Sequence, residues 1–108
     1  MGNTWIVDLR HYLTPAGAMA PMPSRARLLA EYFASIVVDA TTNLDGSPTL
    51  RCRRRPGHRR CSGTILAVPS PDEGDAILWN CPVCHDNGVI RGWQNTLWDG
   101  FREIHSAS

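Results

Sequence analysis

Residues 81–88 read CPVCHDNG: two thiols three positions apart, a proline between them, and then residues that favour turns. A Cys-x-x-Cys turn can aim backbone N–H groups at its own sulfurs, and Pro82 fixes one φ angle within it. Two further cysteines, Cys52 and Cys61, lie upstream, and nineteen residues separate Cys61 from Cys81. Those nineteen residues read as a hairpin: GTILAV (63–68), the polar turn PSPDEGD (69–75), and the returning strand AILWN (76–80). A hairpin brings its ends together, so the two cysteine pairs can converge on one tetrahedral ion. Zn2+ suits four thiolates, being soft enough for sulfur and tetrahedral. Cys52, Cys61, Cys81 and Cys84 are therefore the candidate metal ligands. One alternative stays open: HRRC (58–61) makes a His-x-x-Cys pair in which His58 replaces Cys52. A redox Cys-x-x-Cys needs a thioredoxin-like βαβ context, whereas the flanks here read as strand and turn. His11, His85 and His105 read as surface or hydrogen-bonded side chains rather than ligands.

Outward from the cysteines, TLRCR (49–53) is a strand candidate that, with 63–68, flanks the arginine loop, and GVIRGW (88–93) is a further strand. Toward the N-terminus, TWIVDL (4–9) is rich in β-formers and TPAGAMAPMP (14–23) is an irregular connector. From Arg25 to about Thr41, Leu29, Tyr32, Phe33, Ile36, Val37 and Ala40 recur at i, i+3, i+4 spacing, which predicts an amphipathic helix capped by Ser24. TNLDGSP (42–48) separates a strand–helix segment, 1–48, from a cysteine-bearing module, 49–100, within what length alone makes one compact domain. The tail, 101–108, is expected to fray.

The module resembles the zinc ribbons, and NCPVCHDNG is similar to the Cys-Pro-x-Cys-Gly knuckle of zinc ribbons and rubredoxins. The resemblance covers residues 52–93 and implies a metal-bound β-ribbon. It implies no particular activity, since ribbons serve many processes. The sequence departs from the pattern in two places. His85 stands where the knuckle usually has glycine, with Gly88 left to serve the turn, and eight residues rather than two separate Cys52 from Cys61. The expected fold is α+β: an N-terminal strand and one helix packed on a three- to four-stranded antiparallel zinc β-ribbon.

Between Cys52 and Cys61 the sequence is RRRPGHRR, and residues 51–60 hold six arginines and no acid, a local charge of +6. The other 98 residues carry five arginines against ten acids, so a formal net charge of +1 hides a polarised molecule. Arg55-Pro56-Gly57-His58 suits a type II turn, which makes the loop a finger tied at its base. Arginine's planar fork matches phosphate bidentately. Arg53, Arg54, Arg55, Arg59 and Arg60 are thus candidates to contact nucleic acid, with Trp93 and Trp98 as stacking surfaces. The competing expectation is a protein–protein adaptor that offers the finger to an acidic partner. No phosphate-cradling glycine loop and no His-Glu-x-x-His occurs, and a four-thiolate ion leaves no position to activate water, so no catalysis is expected. No run approaches the roughly 20 apolar residues of a membrane span. The start lacks the basic and apolar regions of a signal peptide, and Ile6 occupies the position that a myristoylation signal gives to Ser or Thr. A cytoplasmic location is expected, where disulfides seldom persist.

Overall fold

The apolar stripe and the short β-rich runs become one helix and four strands in a computed structural model that describes residues 3–43, 50–53 and 59–101. The strands are β1 (Thr4–Asp8), β2 (Leu66–Ser70), β3 (Ala76–Asn80) and β4 (Asn87–Arg91), and the helix α1 spans Ser24–Thr42. The expected turn at Arg55–His58, with Arg54, most of the 42–48 loop and the tail beyond Phe101 lie outside the described residues.

Helix α1 follows its periodicity. Ala30, Phe33, Ala34, Ile36, Val37, Ala40 and Thr41 are buried, while Arg27 and Glu31 pair across one turn of the solvent side at 2.9 Å. Ser24 is the first helical residue rather than the cap; Pro23 holds the cap position and no side chain accepts a bond there. Proline's fixed φ starts the helix in place of a capping hydroxyl.

The sheet runs β1-β4-β3-β2. The β2–β3 and β3–β4 pairs are antiparallel, as a ribbon requires, but β1 pairs with β4 in parallel, so the sheet is mixed rather than purely antiparallel. The N-terminal strand therefore extends the sheet instead of packing on it. Its direction is set by polar ties at one end: Asn87 N–H donates to the Asn3 carbonyl at 2.9 Å, and Asn3 N–H donates to the Asp86 carboxylate at 2.9 Å. A parallel return needs a long crossover, which α1 and the β2–β3 hairpin provide.

The hairpin lies slightly later than its sequence pattern indicates. Strand β2 runs through Pro69 and Ser70, which an edge strand tolerates. A 3-10 turn at Pro71–Glu73 follows, and Gly74 at φ 67° supplies the reversal. Of the expected 49–53 strand, Arg51 makes an isolated bridge to Thr64.

One face of the sheet meets α1. Phe33, Ile36 and Val37 join Val7, Ile65, Ile77, Trp79 and Ile90 in a single core that also contains Cys52, Cys61 and Cys81. Trp5 meets Phe33 edge-on at 5.8 Å between ring centroids, and Tyr32 meets Trp79 likewise at 6.2 Å. Residues 94–101 fold back on this core. The Asp99 carboxylate accepts from the N–H groups of Asn95 and Phe101, and Gly100 N–H donates to the Thr41 hydroxyl at 2.8 Å. Among the described residues no helix is long and apolar enough to cross a membrane.

Candidate metal centre and the arginines around it

Two turns of different construction deliver the cysteines. Cys81 and Cys84 sit in the tight turn between β3 and β4. Cys81 N–H donates to the Asp86 carbonyl at 2.7 Å, and His85 N–H donates to the Cys81 carbonyl at 2.8 Å. Cys52 and Cys61 are gathered by a short antiparallel contact in which Cys52 N–H donates to Gly63 and Ile65 N–H to Leu50, at 3.0 and 2.7 Å. This contact does the work of a knuckle despite the eight-residue gap, because it closes the loop at its base. Gly63 is required there: a Cβ at that position would collide with the Cys81 sulfur and crowd Val83.

The four sulfurs all lie within 4.8 Å of one another. Cys52 Sγ is 3.6 Å from Cys84 Sγ, and Cys61 Sγ is 3.6 Å from Cys81 Sγ. With Zn–S near 2.3 Å, a tetrahedron has S···S edges of about 3.8 Å, so the two measured edges match that size. None of the four forms a disulfide; Cys52, Cys61 and Cys81 are buried and Cys84 is half-buried. N–H groups point at the sulfurs, Gly63 N–H reaching Cys61 Sγ at 3.4 Å. The cluster can hold a metal ion.

Charge explains why it would. Burial opposes the Cys81 thiolate, but the backbone N–H groups of Cys84 and Val83, with the neighbouring thiols, outweigh it and hold the group below its usual value. At Cys84 burial prevails, despite the Asp86 N–H, and pushes the thiol up. Adjacent sulfurs thus resist ionising together. A divalent cation removes that conflict, since thiolate ligands are deprotonated when bound.

Asp86 supports this turn, a role the sequence did not disclose. It is 5% exposed, and its carboxylate takes the Asn3 N–H and the Trp5 indole N–H, the latter at 3.3 Å. An acid directly after a Cys-x-x-Cys-His run is the signal that was available. His85 takes the left-handed conformation itself, at φ 65°, so the knuckle's glycine position keeps its geometry without its glycine. Gly88 serves a different purpose in β4, where a Cβ would come within 2.6 Å of the Trp5 carbonyl and 2.7 Å of the Trp79 Nε1.

Compared with family models, curated proteins and solved structures, the chain matches none.

Arg51, Arg53, Arg59 and Arg60 are exposed on the two arms of the loop that starts and ends at the cluster. Arg53 stands over the Tyr32 ring, 5.5 Å from its centroid. The ion pairs between described residues join Arg27 to Glu31, Arg91 to Glu73 and His11 to Asp8, and none takes a loop arginine. Arg54, Arg55 and His58 lie outside the described residues. Trp93, expected as a stacking surface, is instead 3% exposed, with its indole N–H donating to the Asp75 carbonyl at 2.9 Å. A large apolar ring in a small domain goes to the core, so it offers no face to a base. Trp98 is also packed against the core.

Proposed function

We propose that the chain is a zinc-stabilised binding module whose arginine finger, tied between Cys52 and Cys61, contacts nucleic acid. The observation that carries the reading is the exposure of Arg51, Arg53, Arg59 and Arg60 beside the cysteine cluster, with no acid pairing them among the described residues. Guanidinium groups fixed at their roots lose less freedom on meeting phosphates, and each offers a bidentate fork. Arg54 and Arg55 belong to the same charge run and extend the footprint.

Cys52, Cys61, Cys81 and Cys84 would hold the ion, and Zn2+ is the one we assign, from the all-sulfur donor set gathered within 4.8 Å. The ion would supply cross-linking, since four protein ligands close its coordination. The module is therefore structural and non-catalytic in this reading, similar in plan to a zinc ribbon with an extra parallel strand. Thiolates kept reduced for metal suit the cytoplasm.

Binding to a fluorescent duplex oligonucleotide, followed across a salt series, tests the finger. On a duplex, three to five phosphate contacts give a slope of log K against log salt of roughly −2.7 to −4.5. Replacing Arg59 and Arg60 together by glutamine should lower that slope by up to about two, at unchanged far-UV circular dichroism. An adaptor that offers the finger to acidic proteins gives no oligonucleotide affinity even at low salt, and that result would replace the nucleic-acid reading.

A further inference from the structure

The two edges of the sheet differ. Strand β2 carries Pro69, which has no N–H to offer, and leads into Pro71. Strand β1, the other edge, is TWIVD, with none of the proline, lysine or bulge by which natural edges avoid pairing.

Its hydrogen-bonding groups can be assigned to sides. Asn87 N–H donates to the Asn3 carbonyl, and the Trp5 carbonyl lies against Gly88. In a parallel ladder successive residues face opposite sides. Asn3, Trp5 and Val7 therefore turn their main-chain groups toward β4, and Thr4, Ile6 and Asp8 turn theirs outward. Ile6, at the centre, is also 84% exposed, the highest value among the large apolar residues described. It does not stand alone: the register sets Ile6 beside Val89, Val89 beside Leu78, and Leu78 beside Val68, one apolar row across the face away from α1.

We propose that two copies of this chain pair antiparallel through the outer edges of β1, with Ile6 opposite the partner's Ile6. The segment is self-complementary about that residue. Ile6 and its counterpart exchange both main-chain hydrogen bonds; at each end Asp8 N–H faces the partner's Thr4 carbonyl, while the Asp8 carbonyl is already used by the 3-10 turn that Asp8 caps. No like charges stand directly opposite each other. The two apolar rows meet at Ile6 and become one band across both sheets. A slip by one residue turns the side chains to the wrong faces and breaks that band. The occupant is thus a second copy, since an unrelated strand reproduces neither the two-fold register nor the joined row. The contact is small, so the dimer is expected to be reversible, of the weak class that buries less than about 1,200 Å². It rests on neither the metal nor the finger.

Sedimentation of the full chain, loaded from about 5 to 500 µM to span a weak association, should show the mass rising from 12.0 kDa toward twice that value. The Ile6→Lys protein, altered at an exposed position, should stay at the monomer mass throughout with an unchanged circular dichroism spectrum. Val68→Lys, which charges the same apolar row at the far edge, should associate like wild type. Amide exchange at Ile6 should slow about tenfold or more from the lowest to the highest concentration, as pairing protects it. A wild type that stays monomeric overturns the proposal. So does an Ile6→Lys protein that still dimerises, which puts the contact elsewhere. Loss of association in both lysine variants overturns it too, in favour of contact through the open face.

Discussion

His85 has a φ of 65°, a conformation that costs a residue with a Cβ about 1–2 kcal/mol relative to right-handed backbone. Position 85 tolerates it because the turn is held from both sides, by His85 N–H on the Cys81 carbonyl and by the Asn87 side-chain amide on the His85 carbonyl at 2.9 Å. Glycine has no such penalty, although it gains more freedom in the unfolded chain, which offsets part of the benefit. His85→Gly should therefore stabilise the protein by about 0.5–1 kcal/mol, with metal content unchanged, as read from denaturant midpoints. A loss of stability would show that the imidazole makes contacts that outweigh the strain. The departure from the knuckle pattern was visible in the sequence, but its consequence was not. Gly88 offered itself as a substitute in the turn, and only the geometry shows that its missing Cβ makes room for the Trp5 carbonyl and the Trp79 indole.

Among the elements, α1 and the β2–β3 hairpin were legible because each is specified locally, the helix by its apolar spacing and the hairpin by strands around a proline- and glycine-bearing turn. Strand β1 was legible as a strand and not as a neighbour. Its partner is chosen by Asp86, 81 residues from Trp5 along the chain, and no local pattern encodes such a contact. The cysteine set was legible because four thiols around a hairpin have few ways to converge. The short pairing of residues 50–52 with 63–65 that gathers two of them was expected as a longer strand. Asp86 gives the parallel pairing a specific test. Asp86→Ala leaves the part-buried Asn3 and Trp5 N–H groups without their carboxylate acceptor, at a cost of up to about 1.5–3 kcal/mol per charged hydrogen bond. Exchange of the Trp5 and Val7 amides should accelerate far more than that of β3. If all strands lose protection together, the carboxylate holds the whole fold rather than the seating of β1.

At the scale of the whole molecule, the cysteine cluster and the helix share one core. In the sequence a strand–helix segment, 1–48, is set apart from the cysteine-bearing module, 49–100. The structure joins them: Phe33, Ile36 and Val37 of α1 lie in the same cluster as Cys52, Cys61 and Cys81, and Arg53, next to a candidate ligand, caps the Tyr32 ring. Most of a helix's stability in a protein comes from packing its apolar face, so this 19-residue helix loses its main support once that face has nothing to cover. A structural zinc site contributes on the order of 10 kcal/mol, comparable with the net stability of a domain. Metal loss should then remove the helix with the sheet, in one transition. Protein purified without added zinc should contain close to one equivalent. Titrating it with a strong chelator should reduce the helical circular dichroism at 222 nm and the near-ultraviolet tryptophan signal in parallel, and Cys84→Ser should behave like the chelated protein. A helical signal that survives while the tryptophan signal vanishes would separate the two halves of the core. Near-zero metal in a folded protein with four titratable thiols would remove zinc from the account, leaving the cysteines as packed thiols.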